Sequence, residues 1–105
     1  MTFDDRKQEF ESRYAHDQEL RFRVEARRNK LLGLWAAEKL GRSGAEADAY
    51  AMEVVKAHLQ KEGEEDVVAK VMADFTAAGV AQSEHQLRRR MSELLIEAEA
   101  QVKSA

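Results

Sequence analysis

No proline interrupts the 105 residues of this chain. Proline removes a backbone donor and collides with the preceding turn, so a chain without it can run in long helices. Ala, Glu, Lys, Leu and Arg fill 57 of the 105 positions, a composition typical of long helices and bundles. Strand formers are scarce, with eight Val, one Ile and two Thr, so a sheet would contradict the local preferences. The expected class is all-α, in one domain, since a chain of this length supports a single core of three or four helices. The absence of Cys excludes disulfides, thiol nucleophiles and thiolate metal sites, and fits a reducing compartment.

Element boundaries follow from caps and glycines. Thr2 precedes Asp5 by three residues, Ser43 precedes Glu46 and Ser83 precedes Gln86, the spacing of capping boxes at helix starts. Gly41, Gly63 and Gly79 stand where the apolar period lapses and read as helix stops. The expected helices are Phe3 to Leu40, then 44 to 62, 64 to 78 and 84 to 103. The last three carry one apolar stripe each: Ala47, Tyr50, Ala51, Val54, Val55 and Leu59; Val67, Val68, Val71, Met72 and Phe75; Leu87, Met91, Leu94, Leu95, Ala98 and Val102. With short connections they close a bundle against the second half of the first helix. Trp35, with Leu31 and Leu34, is expected to be that helix's largest contribution. Gly33, inside the helix, costs about 1 kcal/mol relative to Ala and points to close approach of a neighbour or to a kink.

The first helix is too long for such a bundle. At about 1.5 Å per residue it spans about 57 Å, against roughly 23 to 30 Å for the others. Its surplus half still carries Phe3, Phe10 and Tyr14 within about 40° of arc at 100° per residue. Leu20, Val24, Leu31, Leu34 and Trp35 centre on a direction roughly 80° away. The two stripes therefore serve two different surfaces. A helical stretch of under about 20 residues is marginal alone in water, so residues 1 to 18 are expected to fray or move in the free protein. Aromatic anchors at this spacing suit a helix that folds into a partner's groove. Folding back on the bundle as a fifth short helix is the competing expectation.

Charge is uneven: residues 1 to 20 sum to −3, 21 to 30 to +4 and 43 to 66 to −5, for a chain total of −3. Arg21, Arg23, Arg27, Arg28 and Lys30 suggest phosphate contacts, but the chain is acidic overall and lacks interleaved aromatics, so no nucleic acid partner is expected. Some of these arginines are read instead as pairing with Glu62, Glu64, Glu65 and Asp66 across the bundle, or as simply solvating a face, with a partner-docking role second. Arg88 and Arg89 of the Arg88–Arg90 run can face Glu84 and Glu93 at helical spacing. Di-iron bundles need Glu three residues before His; Arg13, Val55 and Gln82 occupy those positions before His16, His58 and His85. His58 with Glu62 reads as an exposed helical pair, and no metal or cofactor is expected. There is no glycine-rich phosphate loop and no nucleophile elbow, so no enzyme is expected. The acidic start MTFDDRKQEF lacks the basic opening of an export signal. The apolar run Leu31 to Ala37 falls short of the roughly 20 residues of a membrane helix, so a cytoplasmic, non-inserted protein is expected.

Phe3-Asp4-Asp5-Arg6, then Tyr14-Ala15-His16-Asp17 with Glu19-Leu20, then the run from Phe22 to Glu38 (FRVEARRNKLLGLWAAE) together resemble the N-terminal signature of one family. It is the zeta inhibitor subunit of alphaproteobacterial F-type ATP synthases. The similarity continues through Tyr50-Ala51, Val54-Val55 and Glu65-Asp66-Val67, and the stretch from Glu25 to Ala37 is its most specific part. The resemblance implies a four-helix bundle, residues 20 to 105, docked on the catalytic head of the synthase at the inner membrane. It also implies an N-terminal arm, residues 1 to 19, that enters an interface between the alpha and beta subunits and reaches the central rotor. Hydrolysis of ATP is thereby blocked while synthesis is much less affected. The resemblance carries the inhibitory role to Phe3, Asp4, Asp5 and Arg6. Phe10 and Tyr14 take the positions of large residues, Tyr14 standing where the family usually has Phe. Lys7, Glu9, Glu11 and Arg13 form the polar face, and His16 in the arm reads as an exposed histidine without consequence or, second, as a residue that tunes docking with pH. The free protein is expected to be a monomer. A reading from another class is a helical adaptor whose first helix drives self-association.

Overall fold

The computed structural model describes residues 18–58 and 63–104. Among these are four helices and no strand: α1 (Gln18–Lys39), α2 (Ala45–His58), α3 (Glu64–Ala78) and α4 (Glu84–Ser104). The expected all-α four-helix class holds, with starts and stops within a residue or so where they are described. The part of the first helix before Gln18, with the Thr2 cap, lies outside the described residues.

Two of the helix ends close in the same way. After α1, Gly41 takes a φ of 77°, and the Arg42 and Gly41 N–H groups donate to Ala37 O and Glu38 O at 2.8 and 3.1 Å. After α3, Gly79 sits at φ 70°, ψ 25°, and Val80 and Gly79 N–H donate to Phe75 O and Thr76 O at 2.9 and 3.2 Å. Both are Schellman closures, in which the left-handed residue lets two N–H groups satisfy the last carbonyls. Gly63 differs from its expected role as a stop: it is the N-cap of α3 and has no side-chain cap bond. Glu64, Glu65 and Asp66 in the first turn complement the helix dipole there instead. The Ser83 box forms reciprocally, Ser83 N to Gln86 Oε1 at 2.9 Å and Gln86 N to Ser83 Oγ at 3.1 Å. At Ser43 it is the backbone carbonyl that accepts, from Glu46 N at 3.2 Å.

The core joins Leu32, Ala36 and Ala37 of α1, Tyr50 and Val54 of α2, Val67, Val68, Val71 and Phe75 of α3, and Leu87, Met91 and Leu94 of α4. α1 is the central element and packs mainly on α2 and α4. Its buried face is Val24, Arg28, Asn29, Leu32, Gly33, Ala36 and Ala37, which corrects the sequence expectation. Trp35, Leu31 and Leu34 are only half-buried. Trp35 instead flanks the core and meets Phe75 edge to face, with ring centroids 5.9 Å apart. The reason is Gly33: a Cβ placed there would lie 2.5 Å from Ala51 Cα, so the two backbones are nearly in contact. Such proximity is possible only where small residues face α2, and this rotates the bulky side chains to the flanks.

Candidate docking surface

The sequence-predicted site residues Phe3, Asp4, Asp5, Arg6, Lys7, Phe10, Arg13, Tyr14 and His16 all lie outside the described residues. So do Glu62 and the side chain of His58. What is described is the element on which that segment is mounted, since α1 begins at Gln18 directly after it.

The basic run of α1 divides between two environments. Arg28 is only 4% exposed, and its Nε donates to Asn29 Oδ1 at 3.0 Å. Burial lowers its pKa, with the carboxylates of Glu64 and Glu25 opposing the shift. Asn29 is fully buried, and among the described residues its Nδ2 has no hydrogen-bond partner. This polar pair inside the core was not anticipated: nothing in a basic run marks which member turns inward, and the apolar period around it runs on the neighbouring positions.

The remaining cations stay outside. Arg21 pairs with Glu25 at 3.1 Å and Arg23 with Glu19 at 3.5 Å, each one turn apart, and Arg27 and Lys30 are exposed. Of the expected pairing of some of these arginines with the acidic start of α3, what is seen is the electrostatic influence of the Glu64 carboxylate on Arg28. The acidic segment finds its closest cation on α4. Arg88 grips Glu65 with both terminal nitrogens, at 3.1 and 2.9 Å, while its Nε donates to Glu84 at 3.3 Å. Glu93, expected opposite Arg89, pairs with Arg90 at 3.7 Å. Arg88 holds the Glu65 carboxyl below the usual carboxylate range.

A second polar cluster locks α2 to α3. Buried Tyr50 donates its hydroxyl to Asp74 Oδ2 at 2.8 Å. Arg42 and Lys70 lie over its ring, 5.0 and 5.2 Å from the centroid, and Lys70 reaches Asp74 at 3.2 Å. Burial, then the bond to Asp74, raises the phenol's pKa above its ordinary value. These bonds are internally satisfied, as in a structural tie between helices.

Among the described residues no group of His, Asp or Glu gathers as a metal site, and no helix is long and apolar enough to cross a membrane. Exposed large apolar side chains are Phe22, Met52 and Ile96, at 52%, 50% and 73% exposure. Sequence reasoning passed over Phe22, which lies off the stripe that Leu20 and Val24 define.

Comparison with known proteins extends to the segment outside the described residues. A protein solved by solution NMR is 47% identical, with a TM-score of 0.72, the match covering 81% of this chain and 96% of that one. No match was found among curated proteins. The sequence model of a single family, ATPase inhibitor subunit zeta, matches residues 1–101, from the initial Phe3-Asp4-Asp5-Arg6 motif to the last turns of α4. By that match over nearly its whole length, the chain belongs to the ATPase inhibitor subunit zeta family.

Proposed function

We propose that this chain is a proteinaceous inhibitor of ATP hydrolysis by the F-type ATP synthase, with residues 20–105 as the anchor and residues 1–19 as the inhibitory element. The observation that carries this reading is the family match over residues 1–101, which takes in both parts. In this reading the arm enters the interface of the alpha and beta subunits and touches the central rotor, so the protein acts at the cytoplasmic side of the synthase without entering the membrane. Phe3, Phe10 and Tyr14 form the apolar side of the inserted helix. Asp4, Asp5 and Arg6 belong to the family's opening motif, Lys7, Glu9, Glu11 and Arg13 form the polar face, and His16 lies in the same segment.

No bond needs to be made or broken by the inhibitor. A wedge shifts the rotary cycle only by its difference in affinity for the interface geometries it meets. Three large side chains that contribute roughly 1.5 to 3 kcal/mol each when fully buried supply a difference of the required order. Ordering the segment on insertion opposes part of this.

Removing residues 1–19 tests the division. The truncated protein is expected to lose inhibition of ATP hydrolysis by the purified catalytic head while keeping its helical melting transition by circular dichroism. Loss of that transition would place the segment in the core, and full inhibition by the truncated chain would end the proposal.

A further inference from the structure

Among the described residues, the outer face of α1 is a surface that the packing does not use. Arg23, Arg27 and Lys30 follow one another at i, i+4 and i+7, so their side chains fall within about 60° of arc at 100° per residue. They cover about 10 Å of helix. All three are exposed. Among the described residues only Arg23 has an ion partner, Glu19 at 3.5 Å, and both members of that pair are largely in solvent, at 65% and 85% side-chain exposure. The opposite face of the same helix buries Asn29, Leu32, Gly33 and Ala36. The stripe is therefore held rigidly and aimed outward by the most tightly packed element of the fold.

We propose that this stripe is the anchoring surface of the bundle and that it seats on an acidic protein surface of the synthase head. The inference rests on the inhibitor reading for the identity of the partner. Two observations choose the occupant. Arg23 follows residue 19 by four positions, about 6 Å of helix, so whatever engages residues 1–19 lies within reach of the stripe. Apart from Glu19 at its start, the stripe is compact and positive on a chain whose net charge is −3. That pattern fits orientation against one acidic protein patch better than a run along a nucleic acid or an anionic bilayer, which the remaining acidic surface would repel. Charges arranged in this way speed and orient encounter, and they do so less as salt shortens the Debye length from about 30 Å at 0.01 M to about 8 Å at 0.15 M.

The test follows the onset of ATPase inhibition and, separately, direct binding to the immobilised catalytic head. The full chain is compared with Arg23→Glu/Arg27→Glu/Lys30→Glu, with the neutral Arg23→Gln/Arg27→Gln/Lys30→Gln and with Arg89→Glu, an exposed arginine on α4. Each is measured at about 0.01 M and about 0.15 M ionic strength. The charge-reversed protein is expected to associate at least about tenfold more slowly at low salt, to invert the salt dependence because salt now screens a repulsion, and still to inhibit fully at saturation. The neutral variant should fall between, and Arg89→Glu should match the parent. Unchanged association and salt response in both stripe variants, with unchanged melting, overturns the proposal. Stripe-dependent binding to phosphatidylserine vesicles without any effect at the head also overturns it. A parent chain that binds the head through the stripe but does not inhibit would leave the docking surface standing and remove the inhibitor reading. A parent that does not bind at either ionic strength removes both.

Discussion

At Gly33 the α1 and α2 backbones meet with no room for a methyl group, the nearest atom being the Cα of Ala51. Gly→Ala inside a helix ordinarily stabilises by about 1 kcal/mol, yet here the added carbon meets main chain, which cannot rotate aside. Gly33→Ala is expected to lower stability by about 1 to 3 kcal/mol, read as a fall in thermal midpoint. The sequence already marks this position, because a glycine in mid-helix invites a packing reason. Asn29, four residues earlier, carries no such mark: its burial depends on which surfaces converge on it, and those come from other helices. Tyr50 gives a second test at this scale. Folding raises its phenol pKa, so its contribution is complete below the unfolded value near 10 and is lost as pH rises through the higher folded value. Tyr50→Phe should cost about 0.5 to 1.5 kcal/mol at neutral pH and flatten the alkaline decline of a melting profile taken above pH 10.

The helices were legible in proportion to how far large apolar side chains define their buried faces. In α3 and α4 the buried residues, Val67, Val68, Val71 and Phe75, then Leu87, Met91, Leu94 and Ala98, all lie on the stripes that periodicity predicts. In α1 the inward face holds glycine, two alanines, an arginine and an asparagine besides Val24 and Leu32. A search for bulky residues therefore fixes on Trp35 and misplaces the face by about a quarter turn. The consequence is measurable, since Trp35 flanks the core while Phe75 is fully enclosed. Phe75→Ala should cost about 3 to 5 kcal/mol, and Trp35→Ala about 2 kcal/mol, the loss of a half-buried ring and its edge contact. Equal costs in denaturant unfolding would show that Trp35 belongs to the core as fully as Phe75 does. The tie between α3 and α4 responds to acid. Arg88 depresses the Glu65 pKa, so the pair supports the fold above the ordinary carboxylate range and is lost as pH falls through the depressed value. Arg88→Ala should accordingly lessen the acid sensitivity of the melting temperature.

For the whole molecule, function and stability are expected to divide along the chain. Phe10 belongs to the segment assigned to inhibition and Phe75 to the core, so Phe10→Ala should weaken inhibition of the synthase head with almost no change in thermal midpoint. A shift comparable to that of Phe75→Ala would show that both rings serve one core. The sequence raises the expectation of this partition through the length of the first helical pattern and the separate aromatic stripe it carries. The fate of the charges was less legible. Net charge by segment exposes an acidic start to α3 and a basic α1, but only the fold shows that Arg88 takes Glu65 and leaves Arg23, Arg27 and Lys30 facing outward.

The contact between Gly33 and Ala51 also bears on how the molecule transmits force. Long side chains yield under load by changing rotamer, whereas main chain set against main chain has almost no such compliance. A torque delivered through the start of α1 would pass into α2 at that joint with little give. If residues 1–19 take load as proposed, the bundle would serve as a stiff mount, with the least bulky residue of the longest described helix as its bearing point.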